Sequence, residues 1–424
     1  MDILVIGSGG REHALAWKAA QSPQAGRVYV APGNAGTALE PGLENIDIPS
    51  DDIAQLLEFA REHNVGLTIV GPEAPLVMGV VDVFTEAGLR CFGPTRAAAQ
   101  LEGSKSFAKD FLARQGIPTA AYGNFNDLDE ALAYLQTQPM PIVIKADGLA
   151  AGKGVVIAED LATAEQAVRD MLAGNRFGEA GHRVVVEEFL RGEEASFIVM
   201  VDGRHVLPMA TSQDHKARDN GDRGPNTGGL GAYSPAPVIT PELHGKIMDE
   251  IVMPTVEGMA NEGRPYTGFL YAGLMIDDDQ RVKVLEYNCR FGDPETQPIM
   301  LRLRSDLVEL CDAALDGELY RCVTDWDQRT ALGVVMAAGG YPERYAQGDP
   351  IRGLPADTDD CKVFHAGTAQ RGGELVTSGG RVLCVTALGE SAADAQRRAY
   401  QTVNTIHWRN AYFRTDIGYR AIGR

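Results

Sequence analysis

The stretch Ile142-Val-Ile-Lys-Ala-Asp-Gly-Leu-Ala-Ala-Gly-Lys-Gly-Val-Val-Ile-Ala158 decides how the middle of this chain folds. Two short apolar runs, 142–146 and 154–158, flank a glycine-rich loop and read as strands. The loop from Gly148 to Gly154 invites comparison with the phosphate-loop pattern G-x-x-x-x-G-K-[ST] and fails it. The spacing before Gly152-Lys153 is one residue short, and Gly154 stands where a metal-binding Ser or Thr belongs. A phosphate loop must also lead into a helix, whereas Val155-Val-Ile157 is a strand. A glycine loop between two strands has backbone amides free to fold over phosphates, and it can move as a cover. The alternative is a merely flexible hairpin. Lys145 on the preceding strand speaks against it, because its ammonium sits near the loop.

Outward from this hairpin the pattern differs on the two sides. Residues 1 to about 102 alternate apolar runs at Ile3–Ile6, Val28–Val30 and Leu67–Val70 with helical patterns at 12–21, 51–63 and 75–87. That alternation implies a doubly wound α/β sheet. Asp51 and Asp52 suit the N-terminal end of the second helix. A helix from Ser104 to Gln115 is ended by Gly116 and Pro118. From about 119 to 190, the hairpin, a helix at 161–173 and the strand Arg183–Glu187 make an α+β unit small enough to act as a lid. Strands follow at Ser196–Val201, Gly268–Ile276 and Val282–Tyr287. Between them the Gly-, Asn- and Pro-rich segment from Thr211 to Pro237 reads as structureless. It is expected to be a substrate loop, with plain disorder as the alternative. An amphipathic helix is expected over Ile299–Leu315. The tail from about 327 carries strands at Leu332–Ala338, Lys362–Ala366 and Arg381–Leu388 and a helix at 391–405, an accessory α+β domain.

Composition bounds the function. The chain has 424 residues, 44% of them hydrophobic and 23% charged, as in ordinary globular proteins of about three domains. Its net charge of −19 argues against a nucleic-acid or membrane-surface binder, though a local cationic pocket could still take anionic substrates. No leader or membrane span is visible, and the six cysteines show no C-x-x-C pair. A cytoplasmic protein with reduced thiols is expected. The histidines do not cluster at ligand spacing.

Two further segments carry chemistry. Gly7-Ser-Gly-Gly-Arg-Glu12 follows the first strand and opens a helix, the place of a dinucleotide fingerprint. Glu12 occupies the third glycine position, and the second strand runs into Val30-Ala-Pro-Gly-Asn34 without the acid that holds a ribose. A phosphate-bearing ligand at the helix N-terminus, strengthened by Arg11, is the functional reading; a tight scaffold turn is the alternative. In Leu285-Glu-Tyr-Asn-Cys-Arg-Phe-Gly-Asp-Pro-Glu-Thr-Gln297, a strand persisting to Arg290 aims Glu286, Asn288 and Arg290 at one face. Carboxylate, amide oxygen and guanidinium together suit a magnesium-bound phosphate, against a bland surface strand. Glu187-Glu-Phe-Leu190 ends a strand whose backbone can hold an adenine, and Glu194 beyond it can accept from ribose hydroxyls.

The order of these segments resembles the ATP-grasp superfamily and, more closely, the phosphoribosylamine–glycine ligase family of purine biosynthesis. The matching stretches run almost end to end, and include Ala31-Pro-Gly-Asn-Ala-Gly-Thr37, Val70-Gly-Pro-Glu-Ala-Pro75, Gly103-Ser-Lys105, Gln213-Asp-His-Lys216 and Gly224-Pro-Asn-Thr-Gly-Gly229. The resemblance implies an N-terminal α/β domain (1–102), a two-lobed ATP-grasp unit (103–326, lid about 119–190) and a C-terminal accessory domain (327–424). It implies a ligase joining glycine to 5-phosphoribosylamine through glycyl phosphate, with ATP and Mg2+, or Mn2+ in its place, as cofactors. By the same resemblance Lys105 and Lys145 touch the ATP phosphates, under a loop comprising Gly148, Gly152, Lys153 and Gly154. Glu187, Phe189 and Leu190 hold adenine and Glu194 holds ribose. Glu286 and Asn288 hold the metal, and Arg290 stabilises the transferred phosphoryl group. Gly9, Gly10, Arg11, Asn34 and Glu73 are the candidates for phosphoribosylamine, and Asp214 and Asp293 for glycine. The partners implied are these small molecules, with no nucleic acid and no membrane; a monomer is one reading of the oligomeric state. One departure stands out. The strand 268–276, which in the superfamily carries the first metal carboxylate, has no acid here. The rivals are a sister ATP-grasp enzyme using bicarbonate or formate, a silent nucleotide-binding protein, and a Rossmann dehydrogenase.

Overall fold

The first strand, Asp2–Gly7, is apolar from Ile3 to Ile6 and buried throughout that run, as a central parallel strand must be. The computed structural model describes residues 1–149, 154–172 and 183–424. Around the first strand a five-stranded sheet runs in the order 43–45, 28–32, 2–7, 65–70, 91–92, with every neighbouring pair parallel. Ile3 and Val5 share a core with the helix Gly10–Ala19, while Leu4 and Ile6 share another with Ile53–Glu62. Helices therefore cover both faces, which makes the sheet doubly wound. Asp52 caps the second helix by accepting from the Gln55 amide at 3.0 Å. The helix expected at 75–87 is broken in two: Gly79, at φ +98°, ends Glu73–Met78 and opens Val80–Glu86. A left-handed residue cannot continue a helix, and glycine takes that conformation without strain.

Two antiparallel four-stranded sheets follow. The lid sheet has the order 122–125, 184–188, 142–146, 155–158, and the central sheet 206–208, 193–202, 267–276, 282–288. In the lid, Lys145 pairs with Val155 across the hairpin, so the glycine loop does join two strands. The lid encloses a hydrophobic core of its own, with Leu135, Ile144, Val168 and Val186 at its centre. It meets the central sheet at Thr119, whose hydroxyl donates to the Val284 carbonyl at 2.7 Å, and at Val284, whose amide donates to the Pro118 carbonyl at 2.8 Å.

The segment 211–237 is not structureless. It forms the strands Gln213–Asp214, Ala217–Asp219, Arg223–Asn226 and Gly231–Ser234. The first and last of these enter a five-stranded sheet ordered 213–214, 231–234, 330–337, 381–389, 361–365, backed by the helix Ala392–Val403. The helix expected over 299–315 is also two, Thr296–Arg302 and Leu307–Leu315, the second capped by Asp306. Among the described residues no helix is long and apolar enough to cross a membrane.

Candidate nucleotide and catalytic site

The site is built where the lid sheet faces the end of the central sheet. Lys145 is buried on the lid strand 142–146 and reaches across to donate to the Leu285 carbonyl at 3.4 Å. Beside it in the lid, Glu187 forms ion pairs with both Lys145 and Lys109, and Lys109 donates to the Thr119 hydroxyl at 2.8 Å. Burial alone would push the Glu187 carboxyl up. The two ammoniums outweigh it and hold the carboxyl below its ordinary range. The Glu187 carboxylate, expected at an adenine, is thus engaged by two lysines. Phe189 and Leu190 lie past the strand end at Glu188 and are partly exposed.

Lys105 opens the helix Lys105–Gln115, which Ser104 caps, and its ammonium donates to the Gly148 carbonyl at 2.8 Å. Gly148 itself sits at φ +81°. Gly154 is buried at the start of the second lid strand; Gly152 and Lys153 lie outside the described residues.

On the central sheet, Glu286 pairs with Gly273 of the neighbouring strand, so no side chain crowds it from there. Its side chain keeps 38% of its surface accessible, enough for a ligand to reach. Burial opposes its ionisation, but Lys216, Lys145, Lys105 and Arg290 hold its carboxyl down to about 2. The strand stops at Asn288 and does not persist to Arg290. Arg290 returns to the same face by donating to the Asn288 side-chain oxygen at 2.9 Å. Its guanidinium also pairs with Glu73 at 3.2 Å and Glu102 at 3.0 Å. Burial, only partly offset by Arg290, raises the Glu102 carboxyl to about 6. Lys216 lies 2.9 Å from Glu194 and 3.7 Å from Glu286, bridging the carboxylates expected at ribose and metal. Its sequence signal is the Gln213-Asp-His-Lys216 run, in which Asp214 alone carries an expected role. Lys109 and Glu102 gave no local signal; contacts distant in sequence bring them in.

Glu286 and Asn288 offer one ionised carboxylate oxygen pair and one amide oxygen with a second lone pair. Among the described residues no cluster of three or more acidic, His or Cys side chains could hold a metal. That donor set fits a hard cation whose shell is completed by phosphate oxygens and water, and it does not fit an all-protein cage.

The N-terminal glycine loop adjoins this site. A side chain on Gly9 would come within 3.4 Å of Asp293, and one on Gly10 within 2.6 Å of the Gln297 amide nitrogen. The helix N-terminus is less open to an outside anion than its sequence suggests. The Gly9 amide donates to the Glu12 carboxylate at 2.6 Å, and Arg11 pairs with the same carboxylate and reaches the Phe291 carbonyl at 3.3 Å. The Asn34 side chain is spent on structure: its oxygen caps Gly36 and Thr37, and its nitrogen donates to the Ser8 and His365 carbonyls at 2.9 Å each. Asp293 is held by Gln297 at 3.1 Å and by Arg381 at 3.1 Å. Arg381 comes from the C-terminal sheet and also donates to the Gly228 carbonyl at 2.6 Å; sequence reading missed it. Burial, against the pull of Lys216 and with the push of Glu295, Glu194 and Glu286, raises the Asp214 carboxyl to about 8. Lysines facing accessible carboxylates, with an arginine at the strand end, can take a polyphosphate and its counter-cation and leave a carboxyl-bearing substrate room beside them.

Models of the phosphoribosylglycinamide synthetase family match the chain along nearly its whole length. The N domain matches residues 1–102, the ATP-grasp (A) domain 103–296 and the C domain 331–420. The chain belongs to this family. Phosphoribosylamine–glycine ligase of Allochromatium vinosum is 68% identical over 425 residues, covering 100% of this chain and 99% of that protein. The Yersinia pestis protein of the same name is 68% identical over 426 residues, covering 100% of both. A crystal structure of phosphoribosylamine–glycine ligase from Thermotoga maritima superposes with a TM-score of 0.86 at 33% identity, covering 98% of this chain and 100% of that one. Biotin carboxylase of Campylobacter jejuni, at 13% identity and a TM-score of 0.76 over 99% of this chain and 94% of that one, shares the fold alone. The phosphoribosylglycinamide synthetase fold is thus three-domained, with N, ATP-grasp and C units, and its members are ATP-grasp carbon–nitrogen ligases. The family's ATP-grasp domain implies use of ATP with a divalent cation.

Proposed function

We propose that this enzyme joins glycine to 5-phosphoribosylamine at the expense of ATP, giving glycinamide ribonucleotide, ADP and phosphate. The observation that carries the reading is the convergence of Lys105, Lys145, Lys216 and Arg290 on the accessible, ionised Glu286, in a chain of this family. Phosphoryl transfer asks for positioning and charge stabilisation and needs no protein nucleophile. In the first step a glycine carboxylate oxygen attacks the γ-phosphorus and ADP departs, leaving glycyl phosphate. In the second the amine of phosphoribosylamine attacks the acyl carbon, an amide bond forms, phosphate leaves and the amine gives up a proton.

Lys105 and Lys145 hold the triphosphate under the loop 148–154. The backbone at Phe189 and Leu190 takes the adenine, beside Glu187, which fixes Lys145 from behind. Glu194 takes the ribose once Lys216 turns from it to the phosphates. Glu286 and Asn288 hold Mg2+, which neutralises phosphate charge when bound. Arg290 meets the phosphoryl group in flight. Asp214 and Asp293 receive the glycine ammonium; its arrival offsets the burial and, after it, the like-charge crowding that together keep the Asp214 carboxyl high. Gly9, Gly10, Arg11 and Glu73 border the phosphoribosylamine, with Asn34 holding the loop that frames it. The proposed units are 1–102, 103–326 and 327–424. A coupled ADP-release assay tests the reading: turnover is expected only with glycine and freshly made phosphoribosylamine together. Turnover with bicarbonate or formate and none with glycine would replace it by a sister ATP-grasp activity.

A further inference from the structure

Arg290 is aimed by a residue that does not belong to its own strand. The antiparallel ladder of the central sheet ends with the pair Tyr271–Asn288, so strand pairing fixes Glu286 and Asn288 but not Cys289 or Arg290. A backbone amide just past a strand end needs another acceptor if it is buried. The Cys289 amide finds one in the Glu102 carboxylate, at 2.6 Å. The other oxygen of that carboxylate lies 3.0 Å from the Arg290 guanidinium. One carboxylate therefore grips both the backbone before Arg290 and the far end of its side chain.

The guanidinium's remaining partners are of a different kind. Glu73, on the cleft side, has a side chain 31% accessible, whereas that of Glu102 is 9% accessible. An incoming anion can displace Glu73; it cannot reach behind Arg290 to displace Glu102. Glu102 also lies in the short helix Gln100–Gly103, directly before Ser104 and Lys105. It therefore ties the strand-end arginine to the segment that carries a phosphate lysine.

We propose that Glu102 is a positioning residue for the phosphoryl-transfer step, setting the direction of the Arg290 guanidinium by holding it and the Cys289 amide at once. The proposal rests on the role given to Arg290 above. The raised Glu102 carboxyl supports it: a group held ionised at neutral pH against its burial is there at a cost to stability, which is common where function sets the choice of residue.

The test is a double-mutant cycle between Glu102→Gln and Arg290→Ala, with Glu102→Asp as a third variant. Glutamine keeps an acceptor for Cys289 and loses the charge toward Arg290. Glu102→Gln is expected to lower kcat roughly 10- to 100-fold with KM for ATP changed by less than about twofold, since the lost interaction acts in the transition state. Its melting temperature at pH 8 is expected to equal or exceed that of the parent. In the Arg290→Ala background the same change is expected to cost nothing further in kcat, and Glu102→Asp is expected to recover part of the loss. Multiplicative effects of the two substitutions, or an effect confined to KM for ATP, would overturn the role of Glu102. An Arg290→Ala enzyme with parental kcat would instead overturn the reading of Arg290 on which it rests. Should Glu102→Gln fail to fold, Glu102→Asp decides alone: a kcat loss that vanishes in the Arg290→Ala background supports the proposal, and one that persists there refutes it.

Discussion

Glu187 shows how far one side chain's neighbours can redirect it. Its position at a strand end beside Phe189 and Leu190 suggests an adenine contact, and nothing local in the sequence announces Lys109 on the distant helix Lys105–Gln115. The fold places two ammoniums against its carboxylate. Removing the charge leaves two buried lysines facing a neutral group, and breaking buried pairs of this kind costs about 3–5 kcal/mol. Glu187→Gln is therefore expected to lower the unfolding free energy by roughly that amount, measured by urea titration, and to weaken ATP binding through a loosened Lys145. Glu286 behaves oppositely. It was legible in the sequence because an alternating strand puts it on one face with Asn288, and solvent at its accessible carboxylate screens the attraction of the cations around it, which limits what it adds to the fold. Glu286→Ala is expected to leave the melting temperature within a few degrees and to cut kcat on the order of 100-fold or more, the size of a lost charged metal ligand. Near-parental turnover at limiting Mg2+ would contradict that assignment.

At the scale of elements, regular hydrophobic periods were readable and interruptions were not. The strands at 3–6, 67–70, 142–146 and 268–276 declare themselves by short, largely apolar runs, and the structure extends each by a residue or two at most. The breaks at Gly79 and at Leu303–Asp306 sit inside patterns that continue through them, so periodicity alone fused each pair of helices. Residues 211–237 failed for another reason. Their strands are two to four residues long and are ordered by contacts from the far C-terminus. Asp222 is the hub of those contacts. It accepts from Arg414 at 2.8 Å, Tyr419 at 2.6 Å and Arg420 at 2.5 Å, and pairs with His215 at 3.5 Å. The His215 Nε2 accepts from the Gly418 amide at 2.9 Å, so Nδ1 carries the proton toward Asp222. Partial burial raises the Asp222 carboxyl, but these hydrogen bonds and the nearby cations overcome it and hold it far below the ordinary range. A depressed carboxyl stabilises the fold fully above its unfolded pKa, about 4, and loses that contribution as pH falls below it. Asp222→Asn suits the residue's φ of +56°, which Asn tolerates. The variant is expected to lose about 2 kcal/mol at pH 6, as for a hydrogen bond to a charged group, and to show a smaller drop in melting temperature between pH 6 and pH 3 than the parent.

At the scale of the whole molecule the three units are interlocked through shared strands and seams. The N- and C-terminal units meet where the His365 amide donates to the His13 Nδ1 at 2.9 Å, which leaves the His13 Nε2 to donate to Glu40 at 3.1 Å. Lys362 closes that seam on Glu40 at 2.8 Å. The C-terminal sheet in turn borrows 213–214 and 231–234 from the stretch that holds Asp214 and Lys216, and Arg381 grips Asp293 from its own strand. None of this was legible from the accessory look of the tail, because strand partners so far apart leave no periodic trace. A chain ended after Gln328 would lose the strands 330–337, 361–365 and 381–389, three of the five in that sheet. Gly231–Ser234 would lose its partner 330–337, and the fully buried Leu230 and Tyr233 would meet water. Limited proteolysis of such a chain is expected to cut within 213–234, where the full chain resists, and glycine-dependent ADP release is expected to fall below detection. ATP binding is expected to persist more weakly, because Lys105, Lys145 and Glu286 stand on the helix 105–115, the lid and the central sheet, which the truncation leaves whole. A truncated chain with parental glycine turnover would mean that the C-terminal sheet does not position Asp214, Lys216 and Asp293 for the reaction.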